Sequence, residues 1–277
     1  MSAGVGDTLT AVRTDTGRPE SARVLLMAGR LGVLVVFLVG WRLSVDIGWM
    51  DPAFVSTPDD VARALWALVR GDELWPNLWM TTYEVAIAFA LSAVLGVGAA
   101  ILLDRNRVLN AVLAPFLTAI NSMPRIALGP LFILWFGIGA TSKIVLAGSL
   151  GFFIVLIAVM GGLKNVDRDM LLMSRLYGAS ERKLFWHVRL PWALPSLFAA
   201  LKLTAVYCVG GAVIGEMIAA QKGLGLLLQT YSSQFNIANV LAILVVLVAL
   251  VSVMTGVLEL FERRLLGWSA GSTDIPG

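Results

Sequence analysis

Residues 178–191 read GASERKLFWHVRLP, a charged and amphipathic stretch set between very apolar ones. Lys164, Arg168, Arg175, Arg182, Lys183 and Arg189 fall between Leu163 and Pro191, against Asp167, Asp169 and Glu181. Flanking runs long enough to cross lipid make this a loop held at a membrane surface. Its excess of Lys and Arg assigns it to the cytoplasmic side. Two short helices are readable in it. Arg168–Tyr177 places Leu172, Met173, Leu176 and Tyr177 on one side. Ser180 can cap the second helix, with Glu181 in its first turn and Leu184, Phe185 and Val188 on its apolar side. Gly178 between them allows a left-handed turn without a Cβ penalty. Leu190-Pro191 and Pro195 are expected to end that helix and start the next span. A helix–glycine–helix with an apolar face and basic flanks suits a groove on a partner. The alternative is a face that lies on lipid headgroups.

The rest of the chain fits a membrane setting. It is 58% hydrophobic and 14% charged, with a mean hydropathy of +0.84. A soluble core of 277 residues needs less apolar surface, so the expected class is all-α and polytopic. The net charge of +3 reflects Lys and Arg at the inner face and gives no sign of nucleic-acid binding. A lone Cys208 excludes an internal disulfide and a cysteine-based metal site.

Six transmembrane helices are expected, at about 25–45, 80–103, 109–136, 142–163, 194–220 and 237–260. The third is interrupted at Met123-Pro124-Arg125. Proline removes a backbone donor there, and such a break is tolerated where it is buried in protein or lines a cavity. Ser56 to Asp60 starts a short amphipathic helix outside the membrane, carrying Val61, Leu65 and Leu68. Trp75 and Trp79 then sit as an aromatic belt. Residues 1–22 are expected as a disordered cytoplasmic tail, 23–268 as the six-helix domain and 269–277 as a second disordered tail. The charge bias puts both termini in the cytoplasm. Arg105, Arg107, the loop cations, Arg263 and Arg264 are inside, and Arg63, Arg70, Lys143 and Lys222 belong to outer segments.

Gly178, nine residues, then Val188-x-Leu190-Pro191 resembles the EAA loop of bacterial ABC importer permeases. The Glu-Ala-Ala of that loop falls on Leu172, Met173 and Ser174, none of which retains it, so its charged contact is absent or replaced. Arg175, three residues before Gly178, fits a common variant. The similarity extends to Pro124-Arg-Ile-Ala-Leu-Gly-Pro-Leu-Phe-Ile-Leu-Trp-Phe-Gly-Ile-Gly139 with Ser142-Lys143-Ile144, to Thr57-Pro58-Asp59-Asp60-Val61, and to Gly215-Glu216-Met217-Ile218 with Gly223-Leu224-Gly225. Together these cover about residues 55–265, and the chain is identified as a member of the nitrate/sulfonate/taurine branch. At Glu84 and Ala88 it carries a variant found in importers of pyrimidine-type and other heterocyclic compounds, where many members have Arg and Gly.

The resemblance implies a type I ABC importer permease fold with a cytoplasmic coupling loop, set in the lipid bilayer of the bacterial cytoplasmic (inner) membrane. It implies a dimer with a second permease copy, two ABC ATPase subunits and an extracytoplasmic substrate-binding protein. ATP and Mg would sit on the ATPase, with no cofactor on this chain. The coupling residues would be Arg175, Gly178, Ala179, Ser180, Arg182, Lys183, Leu190 and Pro191.

Ionisable groups within spans are functional candidates. Glu84, Asn121, Ser122, Pro124, Arg125 and Glu216 are therefore candidates for a translocation pathway. Each has a plainer reading. Glu84 can be an interfacial acid paired with Lys or Arg, Glu216 a pairing group, and Arg125 a clamp on freed carbonyls. Lys202 is read as snorkelling, and Met123, Phe132, Trp135, Phe152 and Phe153 as packing. Gly96, Gly98, Gly210 and Gly211 are read as permitting close helix approach. The chain has no Gly-x-x-x-x-Gly-Lys-Ser/Thr, and its one histidine, His187, reads as a polar spacer. Two other classes stay open: a receptor or scaffold that recruits a soluble partner, and a secondary transporter. The second usually shows paired broken helices, and only one break is evident here.

Overall fold

The structure, a computed structural model, describes residues 20–266, with the backbone alone at 20–26 and 52–53. The expected tails at 1–22 and 269–277 lie outside the described residues, save that helix α1 already begins at Glu20. The chain divides into two compact units between Pro58 and Asp59. The first holds α1 (Glu20–Asp46) and the short α2 (Pro52–Val55). From Met27 on, α1 is long and apolar enough to cross a membrane. Arg42 pairs with Asp46 one turn later at 3.0 Å.

The second unit opens with α3 (Pro58–Arg70), the amphipathic helix expected from its sequence. Proline and two acids sit at its start, and Val61 and Leu68 are buried. Helix α4 (Leu74–Arg105) starts earlier than the expected 80, so Trp75 and Trp79 belong to its first turns. Helix α5 (Arg107–Ser122) is capped by Asn106, whose side chain accepts from the Leu109 amide. Proline at 124 holds Met123 extended, and the chain restarts as a 3₁₀ turn (Arg125–Leu128) and α6 (Gly129–Phe136), bent 81° from α5. Next come α7 (Ala140–Lys164), α8 (Arg168–Leu176) and α9 (Glu181–Leu184). A π-turn over Phe185–Arg189 leads into α10 (Leu190–Ile218). Helices α11 (Leu224–Ser233) and α12 (Ile237–Leu265) complete the described chain.

Five of these stretches are long and apolar enough to cross a membrane, and the count reaches the expected six where the bent α5–α6 pair is taken as one broken span. One boundary is corrected. Leu190-Pro191 and Pro195 do not end the loop helix, because Glu181–Ile218 runs on as a single 38-residue rod. The π-turn widens the helix by one residue just before Pro191, which relieves the ring's clash with the preceding turn.

Helix α7 packs along both α4 and α10. A Cβ on Gly96 would lie 2.8 Å from Val155 Cβ, and one on Gly211 would lie 2.8 Å from Ala147 Cα, so small residues set this approach. Gly98 and Gly210 face open space instead, against expectation. The buried residues form two clusters. One joins Val85, Ala147, Cys208, Ala212, Leu224 and Ile243. The other joins Leu103, Val155, Leu156, Leu163, Phe185 and Ala193, at the end of the bundle that carries the 164–191 loop.

Candidate functional site

The loop is built by local capping. Asp167 accepts from the Asp169 amide at 2.8 Å and starts α8. Gly178 turns the chain at φ +78, the left-handed region, and Ser180 accepts from the Lys183 amide at 3.4 Å to start α9. Arg175 bridges to Glu181 at 3.0 Å across the turn. The two helices then differ. Leu184 and Phe185 of the second are buried in the bundle, whereas Leu172, Met173, Leu176 and Tyr177 of α8 are 56%, 63%, 86% and 91% exposed. Exposed Arg182 and Lys183 flank this apolar face and make no ion pair among the described residues. Ala179 in the turn, and Leu190 and Pro191 where the loop meets α10, are half-buried. His187 Nδ1 lies 3.1 Å from the Lys183 carbonyl oxygen.

The far end of the same helices holds a buried polar cluster. The first turn of α11 leaves amides without intrahelical partners. Here the Gly223 amide donates to Asn77 Oδ1 (2.7 Å), the Leu224 amide to Thr81 Oγ1 (2.8 Å) and the Gly225 amide to Glu216 Oε2 (2.6 Å). The Thr81 hydroxyl in turn donates to Glu216 Oε1 at 2.7 Å. Side chains of α4 and α10 thus cap α11. A Cβ on Gly223 would run into the Glu216 carboxyl, and one on Gly225 into the Val213 carbonyl oxygen and Glu216, which accounts for both glycines.

Glu84, 1% exposed, lies within electrostatic reach of Glu216 and of Lys143, itself 1% exposed. The Lys143 ammonium, in the first turn of α7, donates to the Ile138 and Gly139 carbonyls. Glu84 Oε2 has no hydrogen-bond partner among the described residues. It borders a cavity of about 170 Å³ lined by Met80, Lys143, Gln221 and Lys222 among others. At the other end of α11, the Tyr231 hydroxyl donates to Glu73 at 2.8 Å. Burial, with the Glu73 hydrogen bond adding to it, pushes that hydroxyl up to about 12.

The bend after α5 is a third group. Arg125 donates to the Ser149 carbonyl at 2.7 Å and to Asn121 Oδ1 at 2.9 Å, and its guanidinium lies 4.7 Å over the Phe153 ring. It therefore pins the break to α7. Ser122 is exposed and bonds back to the Thr118 carbonyl, and Pro124 is exposed at the corner. The candidates thus split into two places: Glu84 with Glu216, and Asn121 to Arg125. Lys202 pairs with Glu262 of α12 at 2.5 Å. Asn77, Thr81 and Lys143 escaped the sequence reading. The signal for the first two was present, since 77, 81 and 84 recur at helical spacing on one face of α4.

Residues 92–267 match the sequence model of the family described as "Binding-protein-dependent transport system inner membrane component". The chain belongs to that family. It is an ABC importer permease of the nitrate/sulfonate/taurine type, a multi-pass protein of the inner membrane. The permease is 27% identical to the taurine transport system permease of Escherichia coli, over 97% of this chain and 98% of that one. It is 33% identical to the formylaminopyrimidine transport permease of Halalkalibacterium halodurans, over 84% of this chain and 93% of that one. Among solved structures it is similar to the MetNI methionine ABC transporter in inward-facing conformations. There the TM-score is 0.60 and the identity 25%, over 73% of this chain and 98% of that one.

Proposed function

We propose that the permease imports a small solute, an anion or a heterocycle, handed over by an extracytoplasmic binding protein, and takes its drive from a separate ATPase through the loop at 164–191. The observation that carries this reading is the exposed apolar face of Leu172, Met173, Leu176 and Tyr177 on a helix whose own caps are satisfied. A groove on a protein suits it better than lipid headgroups, because the face belongs to one half of a folded helix–glycine–helix element whose two halves are joined by the Arg175–Glu181 pair. The loop and both termini lie in the cytoplasm, in keeping with the Lys and Arg bias. Two permease copies face each other, and ATP and Mg sit on the two ATPase subunits. The permease supplies no catalytic group.

In this scheme ATP binding draws the two loops together and opens the spans outward, and hydrolysis resets them. Glu84 beside its cavity and Asn121, Ser122 and Pro124 at the bend line the solute's path. Arg125 and Glu216 hold its walls. Relatives named for taurine and for formylaminopyrimidine support the solute class. Co-expression with the ATPase encoded beside it should give a complex that survives purification and hydrolyses ATP, whereas the permease alone should hydrolyse none. Failure to co-purify with that ATPase, or hydrolysis by the permease alone, would overturn the reading.

A further inference from the structure

Where the loop joins the bundle, one guanidinium ties three helices. Arg189 is the last residue of the π-turn. Its Nη2 donates to Asp104 Oδ1 at 2.7 Å, next to the end of α4, and to the Leu163 carbonyl oxygen at 3.1 Å, next to the end of α7. The Asp104 side chain is 8% exposed, yet its second oxygen has no partner. The contact is therefore made by one nitrogen on one oxygen. A two-nitrogen fork fixes the orientation of a guanidinium on a carboxylate. A single contact lets it roll, and the unused oxygen stands ready for the second nitrogen.

The surroundings are those of a pivot. One cavity of about 930 Å³ is bordered by Arg105, Arg107, Arg182, Phe185 and Trp186 as well as by the pair itself. A second cavity of about 320 Å³ is bordered by Leu103, Arg107, Asn110 and Lys164 and again by Asp104 and Arg189. The ion pair borders both spaces, and the Arg189 side chain, 24% exposed, has room beside the shielded Asp104 carboxylate. The π-turn, whose hydrogen bonds are looser than those of an α-helix, ends at the same residue. Beside it the Arg105 guanidinium lies 4.7 Å over the Phe185 ring. A cation over a ring tolerates sliding and keeps the loop helix seated on α4 as it turns.

We infer that Asp104 and Arg189 form a hinge, a positioning pair through which movement of the docked loop becomes tilt of α10 against α4. This rests on the reading of the loop as the ATPase docking element. The hinge neither touches solute nor binds the ATPase. It holds the pivot in place, so that a push on α8 and α9 swings the far end of the rod instead of bending it at its base.

The test uses the permease co-expressed with its ATPase, in nanodiscs, with a spin label on Lys222→Cys, in the short stretch that follows the far end of α10. The distance between labels in the two copies is measured without nucleotide and with ATP plus vanadate. The unaltered hinge should show a nucleotide-driven shift. Asp104→Ala should still co-purify and hydrolyse ATP but lose the shift, and the charge swap Asp104→Arg with Arg189→Asp should restore it. A passive brace would give the opposite pattern: less complex and lower thermal stability, with the shift intact in whatever complex remains. If Asp104→Ala does not accumulate, Asp104→Asn keeps one acceptor and should retain a shift that Arg189→Ala loses. A full shift in Asp104→Ala, or in Arg189→Ala, overturns the hinge. No ATPase complex, or no shift with the hinge unaltered, overturns the docking and coupling reading beneath it instead.

Discussion

Replacing Glu216 separates two roles that a buried acid near the end of a span can have. Its two oxygens accept from the Thr81 hydroxyl and the Gly225 amide, at 2.7 and 2.6 Å. In Glu216→Ala both are lost, and the Gly225 amide is left buried without a partner. Hydrogen bonds to a carboxylate contribute about 1.5–3 kcal/mol each, so the seat of α11 weakens by roughly 3–6 kcal/mol. At about 1.4 kcal/mol per decade, amide protection across α11 should fall by a factor on the order of 10² to 10⁴. Glu216→Gln should behave differently. Its Oε1 can accept from Gly225 and its Nε2 donate to Thr81, whose hydroxyl already lies 3.2 Å from the Asn77 carbonyl oxygen and can turn to it. That rearrangement costs about 1 kcal/mol, for exchanging a charged acceptor for a neutral one. Hydrogen–deuterium exchange on peptides covering 224–233, measured with solute uptake on the same variants, reads both quantities. Unchanged protection in Glu216→Ala refutes the clamp. Loss of uptake in Glu216→Gln with α11 still protected would instead show that the charge itself serves transport.

Other perturbations give separate outcomes. Gly178 has φ +78 with nothing within 4 Å of a would-be Cβ, so substitution there costs backbone strain alone, of order 1–3 kcal/mol for a β-branched residue. Uptake should rank Gly, Asn, Ala, Val from highest to lowest while insertion is unaffected, and equal uptake in the valine variant would mean that the turn is not needed. Charge reversal of Arg175, Arg182 and Lys183 should weaken ATPase co-purification in a salt-dependent way, whereas reversal of Arg63 and Arg70 should leave it intact; the opposite result would place docking on the wrong face. The Tyr231 hydroxyl should titrate near 12 in an absorbance titration, a step absent from Tyr231→Phe. Because its pKa is raised from 10, the stability it adds is complete below that pH and lost as the pH rises through 12; a tyrosine titration identical in the two proteins would remove the Glu73 bond from the account.

Much of the bundle was legible because lipid imposes a simple rule. An apolar run of span length must be helical, and its ends are marked by Lys, Arg, Asn and Gly. The break at Pro124, the caps at Ser180 and Asn106 and the turn at Gly178 each follow from one residue's covalent geometry or side-chain reach. What sequence did not disclose depends on two helices at once. Pro191 and Pro195 read as helix ends because a proline's local cost is visible, whereas the π-turn that absorbs it is set by Phe185 packing in the bundle and Arg189 reaching Asp104. Lys143 read as an outer cation because it opens a span. The Ile138 and Gly139 carbonyls, brought round by the turn at Gly137, and the nearby Glu84 and Glu216 carboxyls make its burial tolerable. Helix α11 is short and weakly apolar, and its start is fixed by acceptors from α4 and α10 rather than by a cap of its own.

The π-turn and Glu216, which helps to seat α11, lie on the same rod. From Arg189 to Glu216 a helix at 1.5 Å per residue extends about 40 Å. A tilt of roughly 10° at the hinge then displaces Glu216 by about 7 Å, more than the width of a hydrogen-bonded contact. Glu216 cannot move so far while holding both Thr81 of α4 and Gly225 of α11. One of the two must follow it. The Thr81 hydroxyl is fixed to α4, whereas α11 is attached to the rod by the short stretch 219–223, whose Gly223 sits at φ +135. The economical outcome is that α11 travels with α10 and that the Asn77 and Thr81 contacts open. A rod with a pivot at one end and a carried helix at the other turns a push on the loop into a changed surface at the far end. The proline-tolerant π-turn lets the rod run unbroken from the loop to that end.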